Sequence, residues 1–237
     1  MTPVAYTRIP RIDKALIARA ARISVADLHE GLGAVAGRQC LMSVQMRPMH
    51  RGRPVCGQAV TCYNFPGDNL MLHVAARLAE AGDVLVVTNG GTPHGALWGD
   101  VMTHFCQTRG IAGAVIDGAA RDTDRIAEMG FPVYSTHISV SHPEKRGPGS
   151  ANVPVVVAGV TVNPGDLIVA DSDGVMAIPP HLLEAAVANA EAREAKETAI
   201  RKRIDGGETI YDIMGLQAEV DASGMVEIEG TWQDAQG

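Results

Sequence analysis

The sequence predicts an α/β fold, either a layered α/β sandwich or a partly closed barrel with strands of mixed direction, plus a long C-terminal helix. Three observations lead there. Val84 to Thr88 and Gly113 to Asp117 are short β-rich runs that bracket a helix-length segment at 100–109, so strand, helix and strand follow in order. From Val153 onward, three more apolar runs follow (Val153–Val162, Leu167–Ala170 and Val175–Ile178), with turns at Pro164-Gly165 and Asp171-Ser172-Asp173-Gly174. That is too much consecutive β-structure for a simple doubly wound sheet. Pro179-Pro180 then opens the longest helical stretch, 181–205, which Gly206-Gly207 ends.

Before the central block, residues 12–22 and 24–32 read as two short helices. Ser24 opens the second with Asp27 three positions on, and Gly31 or Gly33 closes it. Segments 41–48 and 55–63 read as strands, and Pro66-Gly67-Asp68-Asn69 opens a helix whose Leu70, Val74 and Leu78 repeat at four-residue spacing. The start of that helix is a further strand-to-helix junction that can face the same site as the central block. Past the centre, Arg121 to Met129 is a helix ended by Gly130, Pro132 to Ser135 a strand, and 141–152 a turn-rich exposed loop. The tail 208–237 carries little pattern. The expected division is therefore an α/β catalytic core over 1–180 and a helical extension with its tail over 181–237.

A chain of 237 residues with 46% hydrophobic content can bury one full core. Its net charge of −7 provides no basic stripe, which argues against nucleic acid as a partner. Cys40, Cys56, Cys62 and Cys106 form no CxxC pair and no zinc spacing, so they read as reduced core residues of a cytoplasmic protein. No run of about 18 apolar residues suggests a membrane span. With 26 glycines and only 4% aromatics, a polar pocket is expected rather than an aromatic cleft.

The most informative stretch is Asn89 to Asp122. It holds Asp100, then twenty intervening residues, then Arg121-Asp122. Strands joined by a helical crossover are normally parallel, so the loops leaving their carboxyl ends emerge at one edge and should bring Asp100 to the Arg-Asp pair. There an arginine can bind a carboxylate through two hydrogen bonds, an aspartate offers oxygen to a hard divalent cation, and helix N-termini present free amides. A plainer reading competes: Asp122 would stabilise the first turn of its helix, and Asp100 would cap another. Glu197 also has two readings. It falls within the apolar stripe of Leu183, Ala186, Ala190 and Ile204, and is either solvated on a projecting helix or contacts a neighbouring subunit.

The blocks GALWGD (95–100), VIDGAARD (115–122) and NVPVVVAGVTVNPGDLIVADSDGV (152–175) resemble the class II pyruvate aldolases that cleave 4-hydroxy-4-methyl-2-oxoglutarate and 4-carboxy-4-hydroxy-2-oxoadipate. That group shares a superfamily with the regulator of ribonuclease E activity A. The resemblance implies a lyase that releases pyruvate, with oxaloacetate decarboxylation as a side reaction. It implies Asp122 as the direct protein ligand of Mg²⁺ or Mn²⁺ and Asp100 as the holder of a metal-bound water. Arg121 would bind the pyruvyl carboxylate and keto oxygen, with the amides of Val101 and Met102 after Gly99 completing the carboxylate pocket. It further implies a homotrimer or homohexamer in which Glu197, with Glu194 as the fallback, reaches a neighbouring subunit's site. The alternative it leaves open is a non-catalytic regulator acting by protein contact.

Overall fold

A computed structural model describes residues 3–50 and 52–234. The outer ends of both expected regions, at residues 1–2 and 235–237, lie outside these. Two compact units result, Met1–Glu191 and Ala192–Gly237.

The first unit contains β1 (Val4–Ala5), α1 (Lys14–Ala20), α2 (Val25–Leu32), α3 (Ala34–Cys40), β2 (Arg47–Pro48), β3 (Val55–Asn64), α4 (Leu70–Leu78), β4 (Val84–Thr88), α5 (Asp100–Thr108), β5 (Gly113–Ala120), α6 (Thr123–Met129), β6 (Val133–Ile138), β7 (Gly149–Ala151), β8 (Val155–Val157), β9 (Val160–Val162), β10 (Leu167–Ala170) and β11 (Val175–Ile178). α7 (Pro180–Asp205) begins in this unit and ends in the second, where α8 (Ile210–Ile213) and α9 (Gln217–Ser223) follow.

The fold is mixed α/β. Among the described residues nine strands make one sheet, ordered β1-β7-β3-β4-β5-β6-β2, with β10 and β11 joined to it through β3. β3, β4, β5 and β6 are parallel neighbours, as the helical crossovers require. β3 makes the sheet mixed because it divides one edge between two antiparallel partners. Val55–Gln58 pair with β10, and Cys62–Asn64 pair with β7.

Alternation along the parallel strands separates two cores. Leu85, Val87, Ala114 and Ile116 face the cluster that includes Leu72, Ala75, Cys106 and Ile126. Val84, Val86 and Val115 face the opposite cluster, with Val157, Val160 and Val162 of β8 and β9. A third cluster joins Leu28 and Cys40 to Leu183, Val187 and Ala190 of α7.

Several expectations need correction. The run 153–162 is not one strand but the β8–β9 hairpin, turning at Ala158 (φ 46°) and Gly159 (φ 88°). Positive φ at both turn residues is the two-residue hairpin geometry, but Ala in the first position disguises it. The Ala158 N–H donates to Asp117 Oδ2 at 3.0 Å, which ties the turn to β5. The loop expected over 141–152 ends in β7, whose pairing comes from β3 and β1 rather than from its own composition. Segment 41–48 shrinks to a bridge at Leu41 and the two residues of β2. α3 was not anticipated. The buried face of α4 is Leu72, Ala75 and Ala76, not the Leu70-Val74-Leu78 line, although Val74 and Leu78 do pack at its margin.

Candidate functional site

The chain between β4 and α5 returns to the sheet and places Trp98 beside Ala120 as an extra parallel bridge. The Leu97 N–H donates to the Ala119 carbonyl at 2.8 Å and the Arg121 N–H to the Trp98 carbonyl at 3.0 Å. Trp98 is buried, stacks on Phe131 at 6.1 Å, and donates its indole N–H to Thr103 Oγ1 at 2.8 Å. This backbone ladder sets Gly99 directly against Arg121-Asp122.

Asp122 is the residue before α6, yet its carboxylate makes no cap hydrogen bond to that helix. Its backbone is left-handed, at φ 59° and ψ 37°, which is costly for a non-glycine residue and aims the side chain toward α5 instead. Oδ2 accepts the Asp100 N–H at 3.2 Å and lies 3.4 Å from Arg121 Nε. A Cβ at position 99 would come within 2.6 Å of that oxygen, so glycine is needed for the approach. The Asp100 amide and Arg121 both meet Oδ2, and the Asp122 side chain also lies against the Asp100 carboxyl.

The first N–H groups of a helix have no intrahelical acceptor. In α5 the Asp100 N–H goes to Asp122, and the Val101 N–H to Asp100 Oδ1 at 2.8 Å. The Met102 N–H has no acceptor among the described residues. Asp100 Oδ2 accepts from Arg125 at 2.9 Å. That hydrogen bond, ahead of the opposing effect of burial, holds the Asp100 carboxyl below its ordinary range, with help from the Val101 amide. The Arg125 guanidinium is correspondingly raised.

A cavity of about 590 Å³ opens at this junction. Gly99, Asp100, Val101, Met102, Arg121 and Asp122 all line it, so the residues expected to meet do meet. Its walls are not the polar ones expected from composition. Leu97, Trp98, Val101, Met102 and Phe105 supply apolar surface, with a few charged groups converging on it. Of the histidines, His73 and His142 line it. Burial first, then the nearby Lys145 charge, hold His73 below the ordinary imidazole range against an upward pull from Asp68.

Asn69 lines the cavity, as the junction at the start of α4 suggested, whereas Arg125, His73 and Lys145 were missed as parts of this site. Arg125 sits three positions after Asp122, a helical spacing that could have marked it. Lys145 lies in a segment read as a plain loop. Glu197 belongs to the second unit, where it is half-buried between Arg193 at 3.2 Å and Arg201 at 2.8 Å, each four residues away along α7. Glu194 on the same helix is exposed.

Among the described residues no group of three or more His, Cys, Asp or Glu is placed to hold a metal ion. The donor set at the cavity is nonetheless hard oxygen. Asp100 and Asp122 lie side by side on the cavity wall, and the absence of a side chain at position 99 lets the backbone approach Oδ2 closely. Such a set fits a Mg²⁺ or Mn²⁺ that completes its shell with water and ligand oxygens.

Residues 25–177 match the RraA-like family, described as Aldolase/RraA. A Halalkalibacterium halodurans protein provisionally named a 4-hydroxy-4-methyl-2-oxoglutarate aldolase is 36% identical over 159 residues, covering 67% of this chain and 76% of that one. One from Burkholderia mallei with the same provisional name is 36% identical over 164 residues, covering 69% and 98%. Among solved structures, Streptomyces coelicolor RraAS2, titled an unusual member of the RNase ES inhibitor RraA protein family, aligns with TM-score 0.75 at 30% identity over 82% of this chain and 99% of that one. No described helix is long and apolar enough to cross a membrane.

Proposed function

The chain belongs to the RraA-like (Aldolase/RraA) family, and from that premise we propose a cytoplasmic, divalent-metal-dependent class II pyruvate aldolase. Its reaction is cleavage of a 4-hydroxy-2-oxo acid, such as 4-hydroxy-4-methyl-2-oxoglutarate or 4-carboxy-4-hydroxy-2-oxoadipate, to pyruvate and a second oxo acid. The observation that carries this reading is the strained Asp122, whose carboxylate lines a cavity shared with Arg121 and an ionised Asp100.

When bound, Mg²⁺ or Mn²⁺ would supply Lewis-acid polarisation of the 2-keto oxygen, with Asp122 as the direct protein ligand. Arg121 grips the substrate carboxylate and keto oxygen, and its charge offsets the negative charge that reaches the 2-oxo group when the C3–C4 bond breaks. The free Met102 N–H at the start of α5 donates to the same carboxylate. Val101 can join only after Asp100 Oδ1 releases its amide. Asp100, kept ionised by Arg125, accepts a hydrogen bond from a water that relays the C4-hydroxyl proton onward to C3 of the enolate, which completes pyruvate. Glu197 of a neighbouring copy, in a trimer or hexamer, steadies that water, with Glu194 as the substitute. Oxaloacetate loses carbon dioxide by the same electron flow, so decarboxylation accompanies aldol cleavage.

The likeness to RraAS2 favours a second reading, a regulator that works by protein contact. Pyruvate release from 4-hydroxy-4-methyl-2-oxoglutarate, followed through lactate dehydrogenase, separates the two. Turnover that requires Mg²⁺ or Mn²⁺ and stops on chelation supports the enzyme. No pyruvate from any 4-hydroxy-2-oxo acid with either metal leaves the regulator.

A further inference from the structure

Resting on the reading of Asp122 as the metal ligand, we propose that Trp98 and Thr103 are positioning residues that orient the Asp122 carboxylate through the Gly99–Asp100 peptide. They thereby set how tightly the site takes a divalent cation. The chain of donors is continuous. The Trp98 indole N–H donates to Thr103 Oγ1 at 2.8 Å, and the Thr103 hydroxyl donates to the Gly99 carbonyl at 3.1 Å. The Thr103 N–H donates to the same carbonyl at 3.1 Å. That carbonyl and the Asp100 N–H are the two ends of one planar peptide unit. The Asp100 N–H donates in turn to Asp122 Oδ2 at 3.2 Å.

A helical threonine hydroxyl often bonds back to the carbonyl four residues earlier, and that alone is the plain reading of Thr103. The indole gives the bond a direction. Thr103 is fully buried and its hydroxyl has one proton, so an oxygen already accepting from Trp98 turns that proton onto Gly99. Every dipole in the chain then points the same way, and each bond strengthens the next. Trp98 is itself fixed. It is 1% exposed, its ring stacks on Phe131 with the planes 8° apart, and its carbonyl accepts the Arg121 N–H at 3.0 Å. One buried residue thus reaches both members of the Arg121-Asp122 pair, the arginine through its backbone oxygen and the aspartate through its indole.

Asp122 depends on this chain because it makes no cap bond to α6. Its carboxylate is oriented from across the junction, and of its partners there the Asp100 amide is the rigid backbone group. A Cβ at position 99 would lie 2.6 Å from Oδ2, so the peptide is pressed against the carboxylate it orients. Loss of a partner that orients a metal ligand typically costs about 10- to 100-fold in metal affinity or activity.

The experiment is Mn²⁺ binding to the full-length protein without substrate, read from the electron paramagnetic resonance of the free ion. The signal that belongs to the site is the part that Asp122→Gly removes. Thr103→Val, which keeps the shape and deletes the hydroxyl, should raise the Mn²⁺ Kd of that part roughly 10- to 100-fold. Thr103→Ser should restore most of the affinity. Trp98→Phe leaves the hydroxyl in place but undirected, and should weaken binding by a smaller factor, roughly 3- to 10-fold. Residues acting in one chain are not additive, so the double variant should bind no more weakly than Thr103→Val alone. Should Thr103→Val fail to fold, Trp98→Phe carries the same test. Affinity equal to wild type in the folded variants overturns the proposal, as does a loss that serine does not rescue. Mn²⁺ binding that Asp122→Gly leaves intact removes instead the metal-ligand reading beneath it.

Discussion

Two acidic turns follow strands in this chain, Arg121-Asp122 after β5 and Asp171 to Gly174 between β10 and β11, and the structure uses their carboxylates in opposite ways. Asp171 is bonded at both oxygens. Its Oδ1 accepts the Asp173 N–H at 2.9 Å, its Oδ2 accepts the Val25 N–H of α2 at 3.0 Å, and its own N–H closes the turn to Gly174 at 3.1 Å. Asp122 keeps a strained backbone, forgoes capping its helix, and lines the cavity it shares with Arg121. A carboxylate with both oxygens hydrogen-bonded to backbone amides is part of the scaffold. One held in an unfavourable conformation on a cavity wall is poised for a ligand.

The largest test of this contrast is Asp122→Gly, which removes the carboxylate while suiting the left-handed backbone. Turnover should fall by about 10³-fold or more, and stability should change by less than about 1 kcal/mol. A glycine variant that is active, or that unfolds, would erase the distinction. Arg121→Lys exchanges a planar fork for a point charge, so kcat/KM for pyruvyl substrates should drop roughly 10- to 100-fold. Unaltered kinetics would remove Arg121 from the substrate carboxylate.

Asp68 is a third acid and resembles Asp171 in having its oxygens taken. Burial pushes its carboxyl up, but the Leu70, Arg146 and Gly147 amides and the Lys145 charge together hold it below the ordinary range. A depressed native value means its stabilisation is present above the unfolded value of about 3.9 and is lost as pH falls through the native value. Asp68→Asn should therefore flatten the acid limb of a stability-against-pH curve and cost about 2 kcal/mol at neutral pH by denaturant titration. The smallest effect is expected from Asp171→Ala, about 1 kcal/mol from the loss of the α2 cap, with turnover retained. Lost turnover there would mean that this turn, too, serves the site.

The parallel β3-β4-β5-β6 arrangement, the helices between those strands and the meeting of Asp100 with Arg121-Asp122 were legible in the chain. Each follows from local periodicity and from the rule that helical crossovers return parallel strands to one edge. The αL conformation of Asp122 and the hydrogen bond that occupies the Val101 amide were not, because they depend on the Trp98–Ala120 bridge that closes the junction. The β8–β9 turn escaped because Ala158 stands where glycine or asparagine would announce it.

The amino-acid order by itself determined the strands and helices from β3 to β6 and which acidic and basic groups share their edge, since those depend on neighbours a few residues away. Tertiary structure alone decided that β7 is a strand, that Lys145 and Asn69 share a cavity wall, and which of three similar carboxylates lines the same cavity as Arg121. Those outcomes depend on which distant amides arrive to satisfy each acceptor, and no local pattern encodes their arrival.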